Sequence, residues 1–204
     1  EYTVQYSDGI EQEDGGLLVR KAGASMTLTF AGAPESETYL ILQGLDYEGI
    51  RPSDGYTEEE WERLTDYQKN QIRKQDSEWT PPDAATLSVQ GNGVKNISYL
   101  NRRHSFYAGI HDYLVNAGYS AEGLQTITVV FQQAGHYSFD SCSVVCQPVE
   151  NLNSYVEDRK QESLEHVEIG TNRISGEIEL SEAKALCLTI PYSEGWTAQV
   201  DGVE

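Results

Sequence analysis

Gln125-Thr126-Ile127-Thr128-Val129-Val130-Phe131, followed by a turn at Gly135 and the run His136 to Cys146, is the stretch that decides the fold. β-Branched and aromatic residues dominate its first half, which suits a pleated, half-buried surface. In its second half Tyr137 and Phe139 are expected to face one way and Cys142, Val144 and Cys146 the other. Working outward, Ser25 to Phe30 alternates with period two and puts Met26, Leu28 and Phe30 on one face. Leu17-Leu18-Val19 precedes it across Gly23. Thr38 to Gln43 is an almost unbroken apolar run and reads as a strand buried on both sides. Thr86 to Val89 and Val94 to Leu100 flank a turn at Gly91-Asn92-Gly93. With 13 Tyr and 18 Gly against a single Met, short strands and tight turns are favoured throughout. The prediction is a mainly β chain, a jelly-roll-like β-sandwich.

Residues 51–83 interrupt the β pattern. Thr57 and Glu60 have the spacing of a capping box, Trp61, Leu64, Tyr67 and Ile72 recur at helical intervals, and Lys69, Arg73 and Lys74 fall in the later turns. Pro81-Pro82 stops the segment. A helical insertion near 57–76 follows, either a partner-binding helix or a lid over exposed core. After Pro148, Ser154 and Glu157 predict a short helix near 154–163. Val167 to Ile169, Ile174 to Leu180, Leu186 to Ile190 and Thr197 to Val200 read as strands, and Asp201-Gly202 is a two-residue hairpin turn. The organisation expected is a sandwich domain over 1–148 and a helix-plus-hairpin extension over 149–204. That extension is expected to pack on the same unit and to lack its returning strand.

With 14 Lys+Arg against 33 Asp+Glu, the 204-residue chain carries −19 at pH 7. Such a charge repels phosphate backbones and argues against a nucleic-acid partner. No apolar run approaches the ~18 residues of a bilayer span, and no signal-like segment opens the chain. A soluble, acidic, folded piece of something longer is expected.

No phosphate-cradling glycine loop and no nucleophile elbow occurs. Among the four histidines, His104, His111 and Asp112 form the one cluster with the makings of a metal or general-base site, yet their spacing fits no strong metal signature. No cofactor is implied, apart from Ca²⁺: Asp46, Glu48 and Asp54, or Glu11, Glu13 and Asp14, would offer it oxygens, but without EF-hand spacing, and solvated acidic loops explain them as well. Cys142 and Cys146, four apart on one strand, would lie ~13 Å from each other, beyond disulfide reach. Cys187 reaches one of them only if its strand is a neighbour; otherwise the three thiols act as small hydrophobes. Aromatics crowd the stretch from Tyr99 to Tyr119. Arg102, Arg103, His104, Tyr107, His111, Tyr113 and Asn116 offer ring faces and planar polar groups to a glycan, with core and loop packing as the other reading.

The closing segment, Ile190-Pro191-Tyr192-Ser193-Glu194-Gly195-Trp196 with Val200-Asp201-Gly202, resembles the IPY-x-x-GW…VDG signature of YfhO-type bacterial membrane proteins. Arg103-His104-Ser105-Phe106-Tyr107 with Asn116-Ala117-Gly118-Tyr119, and Ile127 to Phe139, are similar to further blocks of that family; Ala117 stands where Leu is usual. The resemblance implies a multi-pass membrane protein akin to glycosyltransferases of the GT-C class, associated with adding sugars to teichoic acids of Gram-positive envelopes. The chain would then be its extracellular domain, on the outer face of the bacterial membrane. Its expected partners are the membrane-embedded part of its own chain and a cell-envelope glycan or teichoic acid. No catalytic motif of that class lies in this chain. Pro191, Tyr192, Gly195, Trp196, Asp201 and Gly202 are expected to be structural, Gly195 turning the chain and Trp196 burying its ring. The rivals are a free-standing carbohydrate-binding module of a secreted enzyme and a hydrolase using His111 and Asp112.

Overall fold

In this computed structural model residues 1–191 and 193–203 are described. The chain divides into two compact units, Glu1–Asn151 and Leu152–Glu204. In the first unit the strands β1 (Tyr2–Tyr6), β2 (Ile10–Glu13), β3 (Gly16–Val19), β4 (Ser25–Phe30), β5 (Ser36–Gln43) and β6 (Asp46–Gly49) precede the helices α1 (Glu58–Arg63) and α2 (Asp66–Glu78). Then come β7 (Ala84–Gly91), β8 (Gly93–Leu100), β9 (Tyr113–Ser120), β10 (Thr126–Phe131), β11 (Gly135–Ser138) and β12 (Ser141–Pro148). They build a β-sandwich. One layer is a five-stranded sheet in the order β1-β4-β10-β7-β8; the other combines the four-stranded β2-β3-β11-β6 with the three-stranded β12-β5-β9. All pairings are antiparallel.

One apolar cluster joins the sheets, with Leu28, Leu40, Ile127, Val129 and Phe131 all fully buried. Met26, Leu28 and Phe30 share the inward face as expected. At the centre, Tyr137 lies 4.7 Å from the Phe131 ring and 4.8 Å from the Tyr47 ring. A buried phenol needs a partner for its hydroxyl. Tyr137 donates to the Gln133 carbonyl at 2.9 Å and Tyr47 to the Ala134 carbonyl at 3.0 Å. Both bonds clamp the turn that carries the chain from β10 to β11. Burial pushes the Tyr47 hydroxyl up to about 12, and that of Tyr137 upward as well. Tyrosines also tie the two layers together at their edges. Tyr2 on β1 donates to the Cys142 carbonyl on β12 at 2.5 Å, and Tyr113 on β9 donates to the Ser98 carbonyl on β8 at 3.1 Å.

The run His136 to Cys146 is two strands, not one. Between them the chain leaves the four-stranded sheet and enters the three-stranded sheet, with Asp140 N–H on the Gln43 carbonyl at 2.9 Å. The stretch it pairs with, from β5 into β6, bends at the same place, where Gly44 adopts φ +66°. The kink shifts the side-chain alternation, so Tyr137, Phe139, Cys142, Val144 and Cys146 all pack on the core. Nor is Thr38 to Gln43 buried on both sides. Thr38, Leu40 and Leu42 are buried, while Tyr39 and Ile41 are half-covered, so one face of the strand meets the core and the other does not.

The expected single helix is two. Thr57 and Glu60 cap α1, and a second capping box, Thr65 with Gln68, starts α2 after an extended Leu64. Ile72 is buried, but Tyr67 is 73% exposed, since the break rotates it off the covered face. Lys21 bonds Glu60 at 2.8 Å, and Arg20 grips Glu11 bidentately while donating to the Asp54 carbonyl.

The second unit holds α3 (Leu152–Lys160) and the pair β13 (Glu165–Ile169) and β14 (Ile174–Glu177). Ser154 lies inside α3 instead of capping it. Leu186 to Ile190 and Thr197 to Val200 are not strands; a two-stranded sheet offers them no further ladder. The Asp201-Gly202 turn does form: both residues have positive φ, 52° and 78°, and Val200 and Val203 exchange two hydrogen bonds of 2.9 Å.

A Cβ at Gly135 would stand 2.5 Å from both the Glu48 carbonyl and the Tyr47 ring. Gly135→Ala should therefore cost about 1–3 kcal/mol in urea unfolding, as overpacking does. The Lys21 ammonium and the Thr57 N–H hold the Glu60 carboxyl at about 2, against an ordinary 4.5. A depressed folded value gives stability that is present above pH 4.5 and lost as pH falls towards 2. Carbon NMR should show Glu60 titrating near 2 and higher in Lys21→Met, and the stability deficit of that variant should shrink as pH falls from 4.5 towards 2.

Candidate functional site

The glycan candidates gather on and beside the loop 101–112, which links β8 to β9. The base of the loop is stitched from both sides. Asn101 donates its N–H to the Asp83 carbonyl at 2.9 Å and its amide to the Pro82 carbonyl at 3.2 Å, while its Oδ1 accepts the Arg103 N–H at 2.9 Å. Arg103 also reaches the Pro82 carbonyl, at 2.9 Å. At the other end Leu45 N–H bonds the His111 carbonyl at 2.8 Å, and His111 Nδ1 lies 2.9 Å from the Leu45 carbonyl. Asp112 accepts the Gly44 N–H at 2.9 Å.

His111 and Asp112 thus hold the corner where β5 turns into β6. Each faces a different backbone group, so the geometry does not present them as a base and its orienting acid. Tyr99 packs against His111 at 5.7 Å and donates to Asp46 at 2.5 Å; burial first, then that carboxylate, push its hydroxyl well above the ordinary range. Tyr113 is half-buried with its hydroxyl on the Ser98 carbonyl. Asn116 stands apart on β9, where its Oδ1 accepts the Gly118 N–H at 2.7 Å beside a bulge. Arg102, Arg103, His104 and Tyr107 share the loop itself, with Arg102 and Arg103 exposed.

Phe106, one of the aromatics whose crowding the sequence shows, and Ile110, which the sequence reading passed over, are left 79% and 55% exposed on this loop. A signal for them was present. Residues 84–111 contain no Asp or Glu, the longest such stretch in a chain with 33 acids.

Four of the six acids weighed for Ca²⁺ have other partners. Glu11 pairs with Arg20, Glu13 with His136 at 2.8 Å, Asp46 with Tyr99 and the Tyr47 N–H, and Asp54 with the Arg51 N–H. Among the described residues no group of three or more His, Cys, Asp or Glu comes together as metal ligands would. The cysteines are free thiols; Cys142 and Cys146 are half-buried, and Cys187, expected to be buried, is exposed.

In the closing motif Tyr192 lies outside the described residues. Gly195 does not adopt positive φ, and Trp196, expected to be buried, is 43% exposed. The expected burial fails because the strand that was to precede Trp196 is not formed.

A family model described as bacterial membrane protein YfhO matches residues 4–204. The chain belongs to the YfhO family. Comparison with curated proteins and with solved structures found no match. Among the described residues of this YfhO-family chain, no helix is long and apolar enough to cross a membrane.

Asp112→Ala leaves the Gly44 N–H without its acceptor and should cost about 0.5–1.5 kcal/mol in chemical denaturation. Asp112→Asn keeps an acceptor and should cost less.

Proposed function

We propose that this chain is a non-catalytic extracellular domain of a multi-pass YfhO-family membrane protein that resembles glycosyltransferases of cell-envelope polymers. Its role is to shape the outer face of the membrane-embedded active site. The observation that carries the reading is the family match over residues 4–204, found on a β-sandwich in which the two residues a hydrolase reading would use, His111 and Asp112, are each engaged in holding backbone. The charge of −19 bears on the acceptor. A teichoic polyanion is repelled by such a net charge, and Arg102 and Arg103 are the cations that the candidate loop offers it, so shaping the site is favoured over gripping the polymer.

Exposed Cys187 gives the test. In intact cells carrying the full-length protein, a membrane-impermeant maleimide should label the parent and not Cys187→Ser. Labelling that appears only after permeabilisation overturns the extracellular placement. The purified 204-residue chain should turn over neither a lipid-linked sugar nor a glycoside; turnover abolished by His111→Ala overturns the non-catalytic reading.

A further inference from the structure

The acid-free stretch 84–111 holds Lys95, Arg102 and Arg103. The structure places both arginines on the loop 101–112, and on that loop Phe106 and Ile110 stand in solvent at 79% and 55% exposure. A large apolar side chain left in water is informative when its neighbours hold it there. Both ends of this loop are pinned, at Pro82 and Asp83 on one side and at Gly44 and Leu45 on the other. Its middle is folded on itself by consecutive turns, His104 N–H to the Asn101 carbonyl and Tyr107 N–H to the His104 carbonyl, each at 3.0 Å. The Phe106 N–H donates to His104 Nδ1 at 3.1 Å, and the two rings lie 5.8 Å apart. Phe106 is therefore presented by the loop's own bonding.

Aromatic and aliphatic groups beside guanidinium groups match the chemistry of a membrane–water interface, where rings sit at headgroup level and cations meet phosphates. We infer that the loop 101–112 docks on the phosphate-bearing headgroup layer of a bilayer, with Arg102 on the phosphates and Phe106 and Ile110 entering the interface. The inference rests on the reading of the chain as part of a membrane protein, and it names the surface that meets the lipid.

Two features favour a bilayer over a soluble glycan. Ile110 offers a sugar neither a stacking plane nor a hydrogen bond. The charge is also unevenly placed. The carboxylates at the loop's base, Asp46 and Asp112, face the Tyr99 hydroxyl and the Gly44 N–H, and the exposed Asp83 lies beside Asn101 at the same base. No acid lies on the loop before Asp112. Charges beyond about 8 Å are screened at physiological salt, so the cations on the loop itself govern its contact with an anionic surface.

The test uses the 204-residue chain held by a terminal His tag on vesicles of phosphatidylglycerol and phosphatidylcholine with a nickel-chelating lipid. Phe106→Trp introduces an indole on the loop, and Tyr67→Trp introduces one on the exposed side of α2; each spectrum is read against the parent. The indole at 106 should shift to the blue and be quenched by dibrominated lipid, and the indole at 67 should do neither. Arg102→Glu should sharply reduce the quenching at 106, with an unchanged melting curve confirming the fold. Equal quenching at both positions, or none at 106, overturns the inference. So does a blue shift at 106 with soluble polysaccharide but not with vesicles, which would make the loop a glycan site. Labelling of Cys187 from outside the cell, together with an unquenched indole at 106, would sink the docking and leave the extracellular placement standing.

Discussion

The turn Gln133 to Gly135, closed by two buried tyrosines, is the constraint on which the rest of the sandwich depends. It joins β10 in one layer to β11 in the other, and its carbonyls would be costly to bury unbonded. The hydroxyls of Tyr137 and Tyr47 satisfy Gln133 and Ala134, while their rings fill the core against Phe131. Because Tyr47 sits directly opposite Tyr137 in the β6–β11 ladder, the same pair fixes the register of β6. That register sets where the chain bends at Gly44, and the bend is what His111 and Asp112 bind. The presentation of the loop 101–112 therefore follows from the core in three steps.

The fold was legible wherever side-chain alternation was unbroken. Met26, Leu28 and Phe30 needed only the period of a strand. The kink at Asp140 was hidden because it leaves each half-strand with good alternation and changes only the phase between them. A one-residue change of phase sends the opposite set of side chains inward, which is why Cys142, Val144 and Cys146 join Tyr137 on the core. The second helix cap was readable in Thr65 and Gln68 but was masked by the apolar spacing that runs through it. In the second unit, the Asp-Gly turn was legible since its φ requirement is local. The strands 186–190 and 197–200 were not, since apolar alternation becomes a strand only with a ladder to join.

The candidate site was legible as a location and not as a chemistry. Aromatic crowding between Tyr99 and Tyr119 pointed to the right segment, but composition cannot separate rings facing inward from rings facing water. Tyr99 and Tyr113 turned out to serve the sandwich, through Asp46 and the Ser98 carbonyl, and Asn116 serves a bulge. Only Phe106 remained in solvent among the loop's phenylalanine and tyrosine rings near the arginines, with Tyr107 half-covered. The more telling signal was an absence, the missing acids across 84–111, which no motif search scores.

That absence is best understood together with the sheet edges. An edge strand offers unpaired backbone groups to any passing chain, and charge is a common protection. On β8 the guard is Lys95, and on the far side Tyr2 covers the Cys142 carbonyl of β12. A strongly acidic chain protecting β8 with another carboxylate would achieve the same solubility. Placing a cation there instead, and continuing without acids through Arg102 and Arg103, leaves the loop itself free of like-charge repulsion towards phosphate. Edge protection alone accounts for Lys95. It does not account for two arginines and an exposed Phe106 on a loop already anchored at both ends, and a surface with phosphates and an apolar interior supplies a physical reason for both.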